Sequence, residues 1–263
     1  SSDKSKFSKS TSLVEFGSIS SIDSGPDNSC LITNRSLVLC WGGGYKSDSE
    51  NQSNSIESIF SMVPLEHPSI AISVGKSSSC SLSVTKSVYC WEGISTESDN
   101  LHFSEFSIEL VIDGKTDPVR SISSGEDYSC AVLEKLEVIC WGVNDYNFPA
   151  VDTLQSDFGE QFFSPQVDLV TSISLGSEIS CALLVSGTID CWGGPIGNES
   201  EAPESQISNE SKILSISAGN RHLCWVDDRM EMNCWAESGP FSNLTIAGVL
   251  PGISSTGEST CYP

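Results

Sequence analysis

The chain has 263 residues, 38% of them hydrophobic and 18% charged, with 35 acidic residues against 13 basic ones and a formal net charge of −22. The length admits one large all-β domain or two small domains, and the apolar content argues against a wholly disordered chain. So acidic a chain repels phosphate backbones, which argues against nucleic acid as a partner, and there is no run of 18 apolar residues to span a membrane.

Residues 1–11 read as a Ser/Lys-rich tail, and 12–263 as one repeat domain. No initiator Met and no basic-then-apolar leader is present, as expected of a mature or trimmed form. Serine is over-used, at 52 residues. The first element, "SLVEF", carries Leu13, Val14 and Phe16 as a short apolar strand. "SISSIDSG" follows and ends on Gly25. Next comes "SCLITNRSLVLCWG", two apolar stretches around Asn34-Arg35, the pattern of two strands and a tight turn.

The same order recurs along the chain. "SMVPLE" leads to a segment ending at Gly75, then a hairpin turning near Thr85-Lys86. "IELVID" leads to Gly125 and a turn near Glu134-Lys135, and "SPQVDLV" to Gly176 and a turn at Ser186-Gly187. The fifth hairpin, "LCWVDDRMEMNCW", is denser in charge and is preceded by Gly219. "NLTIAG" then leads to "GISSTGESTCYP", a sixth unit that stops just after its first cysteine. No helical apolar period is sustained.

Cysteines mark the repeat at 30 and 40, 80 and 90, 130 and 140, 181 and 191, and 224 and 234. Each unit reads I-S/D-x-G-x4-C-x9-C-W, with Ile22, Ile72, Ile122, Ile173 and Ile216 three residues before the glycine and Trp41, Trp91, Trp141, Trp192 and Trp235 after the second cysteine. Four short strands per unit predict an all-β propeller of tandem four-stranded blades, five complete and a partial sixth; a linear β-solenoid is the alternative. The glycine fits a strand end that needs positive φ, or a place where backbones crowd at the axis. The tryptophan fits packing between blades, or sugar binding.

The hairpin register sets Cys30 opposite Cys40, Cys80 opposite Cys90, Cys130 opposite Cys140, Cys181 opposite Cys191 and Cys224 opposite Cys234, one disulfide per blade. Zinc sites want closer pairs or added histidine, and His67, His102 and His222 share no repeat position, so no metal and no cofactor is expected. Five bridges require an oxidising compartment, which places the chain outside the cell or at its surface. Asn34, Asn51, Asn198, Asn209 and Asn243 stand in N-glycosylation sequons. Cys261 has no partner by repeat logic, leaving truncation, an intermolecular bridge or a free thiol. The ring closes with the N-terminal strand, belongs to a longer chain, or takes a strand from a neighbour.

The best local matches, "ISSGEDYSCAVLEKLEVICWGVN" (122–144) and "ISLGSEISCALLVSGTIDCWGG" (173–194), resemble the regulator-of-chromosome-condensation repeat in its secreted, cysteine-bearing form. The ectodomains of crinkly-type receptor kinases are similar in character. The resemblance implies a β-propeller that binds through loops on a face. The nuclear nucleotide-exchange role of cytosolic members does not carry over, because cysteines and acidity oppose it. The family's Gly-rich turn after the tryptophan is absent, replaced by Ser, Asp, Glu and Asn.

No nucleophile elbow, metal-binding His pair or phosphate loop is present, so the chain is expected not to be an enzyme. Arg221, His222, Asp227, Asp228 and Arg229, in the charge-dense hairpin, read as a candidate partner contact or as a solvated turn. The expected function is a glycosylated structural or adhesive surface protein that contacts other protein chains, copies of itself included. A ligand-binding receptor ectodomain or secreted inhibitor is the alternative, and a hydrolase would need unique carboxylates near the axis.

Overall fold

The computed structural model describes residues 16–42, 60–76, 78–92, 105–108, 111–112, 115–142, 162–167, 169–193, 211–236, 244–248, 254–256 and 259–261. The 1–11 tail, Leu13 and Val14 lie outside these residues. Five antiparallel sheets follow one another, each built outward from its first strand. Blade 1 holds β1 (Ile19–Ser24), β2 (Asn28–Thr33), β3 (Val38–Gly42) and β4 (Ser61–Val63). Blade 2 holds β5 (Ser69–Val74), β6 (Ser78–Ser83), β7 (Val88–Glu92) and β8 (Glu105–Ile108). A two-stranded ribbon, β9 (Val111–Ile112) with β10 (Lys115–Thr116), intervenes. Blade 3 holds β11 (Val119–Ser124), β12 (Tyr128–Leu133), β13 (Val138–Gly142) and β14 (Phe162–Phe163).

Blade 4 shows three described strands, β15 (Val170–Leu175), β16 (Ile179–Leu184) and β17 (Ile189–Gly193). Blade 5 holds β18 (Ile213–Ala218), β19 (His222–Asp227), β20 (Glu231–Ala236) and β21 (Leu244–Ala247). The sixth unit is the pair β22 (Ser254–Thr256) and β23 (Ser259–Cys261). The inner strands β1, β5, β11, β15, β18 and β22 pack each against the next in chain order, as blades around an axis do.

In blades 1 and 5 the apolar segment read from the sequence, Ser61–Val63 and Leu244–Ala247, is the outer strand of the blade before the next glycine strand, whereas of "IELVID" only Ile108 ends the outer strand of blade 2 and Val111–Ile112 form the separate ribbon. Ser61–Val63 pairs with β3, setting Val38 opposite Val63, so it is the outer strand of blade 1. In blade 3 that place is taken by Phe162–Phe163, paired with Cys140 and Trp141, rather than by the "SPQVDLV" read from the sequence. Two adjacent aromatics, both buried, fill the outer edge better than a segment interrupted by Pro165.

Each cysteine pair sits directly opposite across the second and third strands, with Cα atoms 4.0–4.1 Å apart and all five disulfides formed. That separation is of the kind found at non-hydrogen-bonded antiparallel positions, where side chains are closest. The disulfide face of one blade packs on the Ile/Trp face of the next. Cys80, Leu82, Val88 and Cys90 of blade 2 meet Val119, Leu133, Trp141 and Phe162 of blade 3. Cys30, Ile32, Val38 and Cys40 of blade 1 meet Ile72, Val74 and Trp91 of blade 2. The tryptophan is therefore core between blades at Trp91, Trp141, Trp192 and Trp235. Trp41 of the first blade is half-buried and lies edge-on to Phe60, ring centroids 5.1 Å apart. Ile22 is likewise 58% exposed where Ile72 is 8%, because no described blade precedes it.

The hairpin tips share one strained position. Four residues before each second cysteine, the backbone is left-handed: Ser36, Lys86, Leu136 and Met230 at φ 60–69°, and Gly187 at 83°. The carbonyl there is used, since Lys86, Leu136 and Gly187 each accept the N–H of the first residue in the next blade's inner strand, Val119, Val170 and Ile213. Glycine adopts this conformation without the Cβ clash, and only blade 4 supplies it.

Lys86→Gly is therefore expected to raise stability by about 0.5–1 kcal/mol, and Gly187→Ala to lower it by about as much, read as opposite shifts of the urea midpoint. Replacing Cys130 and Cys140 together by Ala is expected to cost about 2–3 kcal/mol, since the bridge closes a loop of about ten residues.

Candidate functional site

The blades give the ring two ends of different character. At one end the inner strands finish at Gly25, Gly75, Gly125, Gly176 and Gly219 and enclose a polar mouth of about 140 Å³. None of these five glycines has positive φ; close approach requires them. A Cβ added to Gly25 would stand 2.5 Å from the carbonyl oxygen of Gly75, and one on Gly125 would stand 2.7 Å from that of Gly176. Gly75 and Gly176 abut the carbonyls of Gly125 and Gly219 in the same way.

Two residues before each glycine, the S/D position of the motif reaches across the seam. Val74 N–H donates to Asp23 Oδ2 at 2.7 Å. Ser124 N–H donates to Ser73 Oγ at 2.8 Å, Leu175 N–H to Ser123 Oγ at 3.1 Å, and Ala218 N–H to Ser174 Oγ at 2.8 Å. The alternation of Ser and Asp was visible in the sequence, but its role needed the neighbouring blade. The mouth rim also carries the ion pairs Lys76–Glu126 and Arg221–Glu178, with Asp27 and Asp127 beside them, so acid outweighs base there.

The opposite end is built from two repeated positions whose residues change from blade to blade. The inner strands each carry a register shift at their second residue, at Ser20, Ile70, Arg120, Thr171 and Leu214. A bulge of this kind re-aims a side chain. The hairpin tips lie beside these bulges, tied down by Asn34, Val84, Glu134, Val185 and Asp228 N–H groups that donate to Ser18, Pro68, Pro118, Leu169 and Lys212 carbonyls. Of the exposed large hydrophobics, Ile19, Ile70, Val84, Leu169, Val185, Leu214 and Met230 lie at this end, leaving Ile22 and Met62 elsewhere. Charge is close to balanced here: Arg35, Lys86, Arg120, Lys135, Lys212 and Arg229 stand among Glu66, Asp117, Glu134, Glu137, Asp227, Asp228 and Glu231. Lys135 pairs with buried Asp117 at 2.7 Å, and Lys86 with Glu134 at 3.7 Å.

The charge-dense hairpin is not one cluster. Arg221 and His222 stand at the mouth end and Asp227, Asp228 and Arg229 at the tip end, separated by the length of β19, roughly 17 Å. His222 is buried against Gly219, and Arg221 reaches Glu178 at 2.8 Å across a seam. Asp227 is 3% exposed; its Oδ1 accepts the N–H groups of Arg229 and Glu231, both at 3.0 Å. Thr33 and Ser83 hold the equivalent turns through their hydroxyls. Asp227 is thus a turn-forming carboxylate rather than a solvated one, and of the five residues Arg221, Asp228 and Arg229 are exposed. Asn34 is exposed at the tip of blade 1, whereas Asn51, Asn198, Asn209 and Asn243 lie outside the described residues. Cys261 closes β23 opposite Ser254. Among the described residues, no group of three or more His, Cys, Asp or Glu side chains is placed to hold a metal ion, and no helix is long and apolar enough to cross a membrane.

With both ends in view, the likeness to solved structures is clear. Human WBSCR16 superposes with a TM-score of 0.67 at 17% identity, over 93% of this chain and 71% of that one. Yeast RCC1 (Prp20), in its complex with Kap60, gives 0.69 at 16%, over 93% and 67%. The CRINKLY WD40 ectodomain of the Arabidopsis thaliana receptor kinase ACR4 gives 0.54 at 19%, over 85% and 65%. The likeness is one of fold. The chain thus has the β-propeller architecture of these proteins and spans roughly two thirds of their length. No family model matches it.

One carboxylate breaks the serine pattern of the mouth. Burial beneath blade 2 raises the Asp23 carboxyl above its ordinary value of 3.8, opposed by the hydrogen bonds it accepts from Val74, Ser24 and Ser73. The folded chain therefore keeps a proton that the unfolded chain has lost. Stability falls as pH rises from 3.8 through the folded value, then levels off. Asp23→Ser, which restores the residue of the other blades, is expected to gain stability over the parent increasingly as pH rises above 3.8 and until the raised folded value is passed, measured by urea melts. A difference that does not change with pH would exclude burial as the cause.

Proposed function

We propose that this chain is a non-catalytic, extracellular protein-binding propeller and that the hairpin-tip end is its binding face. One observation carries the reading. The positions that build the blades repeat, while the bulge and tip positions at one end vary along the chain and, among the described residues, gather most of the exposed large apolar side chains. Recognition needs such an asymmetric surface with apolar anchors among polar groups, and among the described residues the exposed large apolar side chains gather at the tips rather than in the Ser- and Gly-lined mouth. Five disulfides support an oxidising location, and exposed Asn34 is offered as a glycan site. The solved likenesses agree in kind: yeast RCC1 is bound to Kap60, and the plant structure is a receptor-kinase ectodomain.

A photo-crosslinking amino acid at Val185, on a blade 4 tip, is expected to trap protein adducts from secreting cells. The same group at Glu126, on the mouth rim, is expected to trap far less. Equal trapping from both ends, or trapping only at Glu126, would overturn the assignment of the face.

A further inference from the structure

The tip end of blades 4 and 5 bears a cost that the fold itself does not require. Leu169 is 60% exposed and holds φ at 60°, and Met230 is 39% exposed, also at φ 60°. A left-handed backbone is strained for a branched or bulky residue, and an exposed leucine forgoes burial as well. Glycine would remove the first cost, and Gly187 does so at the corresponding tip of blade 4. Val185 and Leu214 join Leu169 and Met230 in the same region. Val185 N–H donates to the Leu169 carbonyl, and the Lys212 side chain lies against Gly187, so these groups form one surface across the seam between the two blades.

Charge indicates what can cover it. The chain carries −22 overall, and the mouth rim is acidic, so two copies repel each other over most approaches. At the tip end the charges nearly balance, and around this apolar surface exposed Lys212 and Arg229 stand with Asp228 and Glu231, beside the buried Asp227. A surface with both signs around an apolar centre is self-complementary under a two-fold axis, since each basic group of one copy can face an acidic group of the other. We infer that this surface of blades 4 and 5 is an isologous contact between two copies of the chain. The inference rests on the tip end being the binding face and names its partner. Asn34 belongs to blade 1, so a glycan there sits on a different blade from Leu169 and Val185.

Sedimentation of the full 263-residue chain, with disulfides intact and free thiol alkylated, tests it from nanomolar to high micromolar concentration. A reversible dimer is expected. The double variant Leu169→Gly with Met230→Gly relieves two left-handed positions, so it is expected to melt at the same or a higher temperature while weakening the dimer at least about tenfold. The variant Lys76→Ser, at the mouth, is expected to leave the dimer unchanged. A monomer at every concentration overturns the inference, as does a dimer indifferent to the double variant. A dimer seen only without alkylation, and lost on reduction, also overturns it by assigning association to a cysteine bridge. If the chain is monomeric but the Val185 crosslinker traps a different protein, the self-contact fails while the tip-end binding face stands. A monomer with no Val185 adduct removes both.

Discussion

Everything in this molecule hangs on how closely one blade's backbone approaches the next at the axis. Gly25 meets the carbonyl of Gly75, Gly75 that of Gly125, Gly125 that of Gly176, and Gly176 that of Gly219. There is no room for a Cβ at these contacts. Because the backbones touch, an Asp23 or serine side chain two residues earlier can span the seam to the next N–H group. At the far end of the same seam, the left-handed carbonyl of one tip accepts from the next inner strand. The three seams from blade 2 to blade 5 are thus stitched at both ends, and the wedge between blades is filled by a disulfide on one side and a tryptophan on the other.

These stitches explain why the two ends differ. The mouth end is where the packing is tightest, so its residues are the small and repeated ones. At the tip end the stitch uses only backbone groups: the carbonyl at the left-handed position and the N–H of the next strand. The side chains at the bulge and left-handed positions take no part in that stitch and can vary, while Thr33, Ser83 and Asp227 still hold their turns. One bulge position holds polar Ser20 and Thr171, cationic Arg120, and aliphatic Ile70 and Leu214. A repeat fold gains an individual surface in this way, without altering the parts that make it a repeat.

The disulfides and the acidity act on different levels. Cystine at a directly opposed strand pair constrains the unfolded chain and leaves the blade geometry unstrained by loop length. Among the described residues the tip end is close to neutral, which leaves it open to contact.

Much of this was legible from spacing alone. The ten-residue cysteine offset announced the hairpins, and those bridges are formed because an even register places the two residues on the same face. The tryptophan after each second cysteine, and the glycine before each first, were visible as core and as crowding. What spacing could not supply was anything that depends on the neighbouring blade. Ile22 matches Ile72 letter for letter in the motif, but one is exposed and the other buried, since burial is decided by what lies across the seam. His222 and Asp227 read as a partner contact or solvated turn beside Arg221 and Arg229; packing against Gly219 and turn geometry buried them and a strand's length separates them. By itself the sequence determined the hairpin, its disulfide and its repetition, because these are contacts over ten residues of chain. The division into a Ser- and Gly-lined mouth and a tip end that gathers exposed apolar side chains was decided only by the tertiary structure, because it arises from contacts about fifty residues apart that local pattern does not encode.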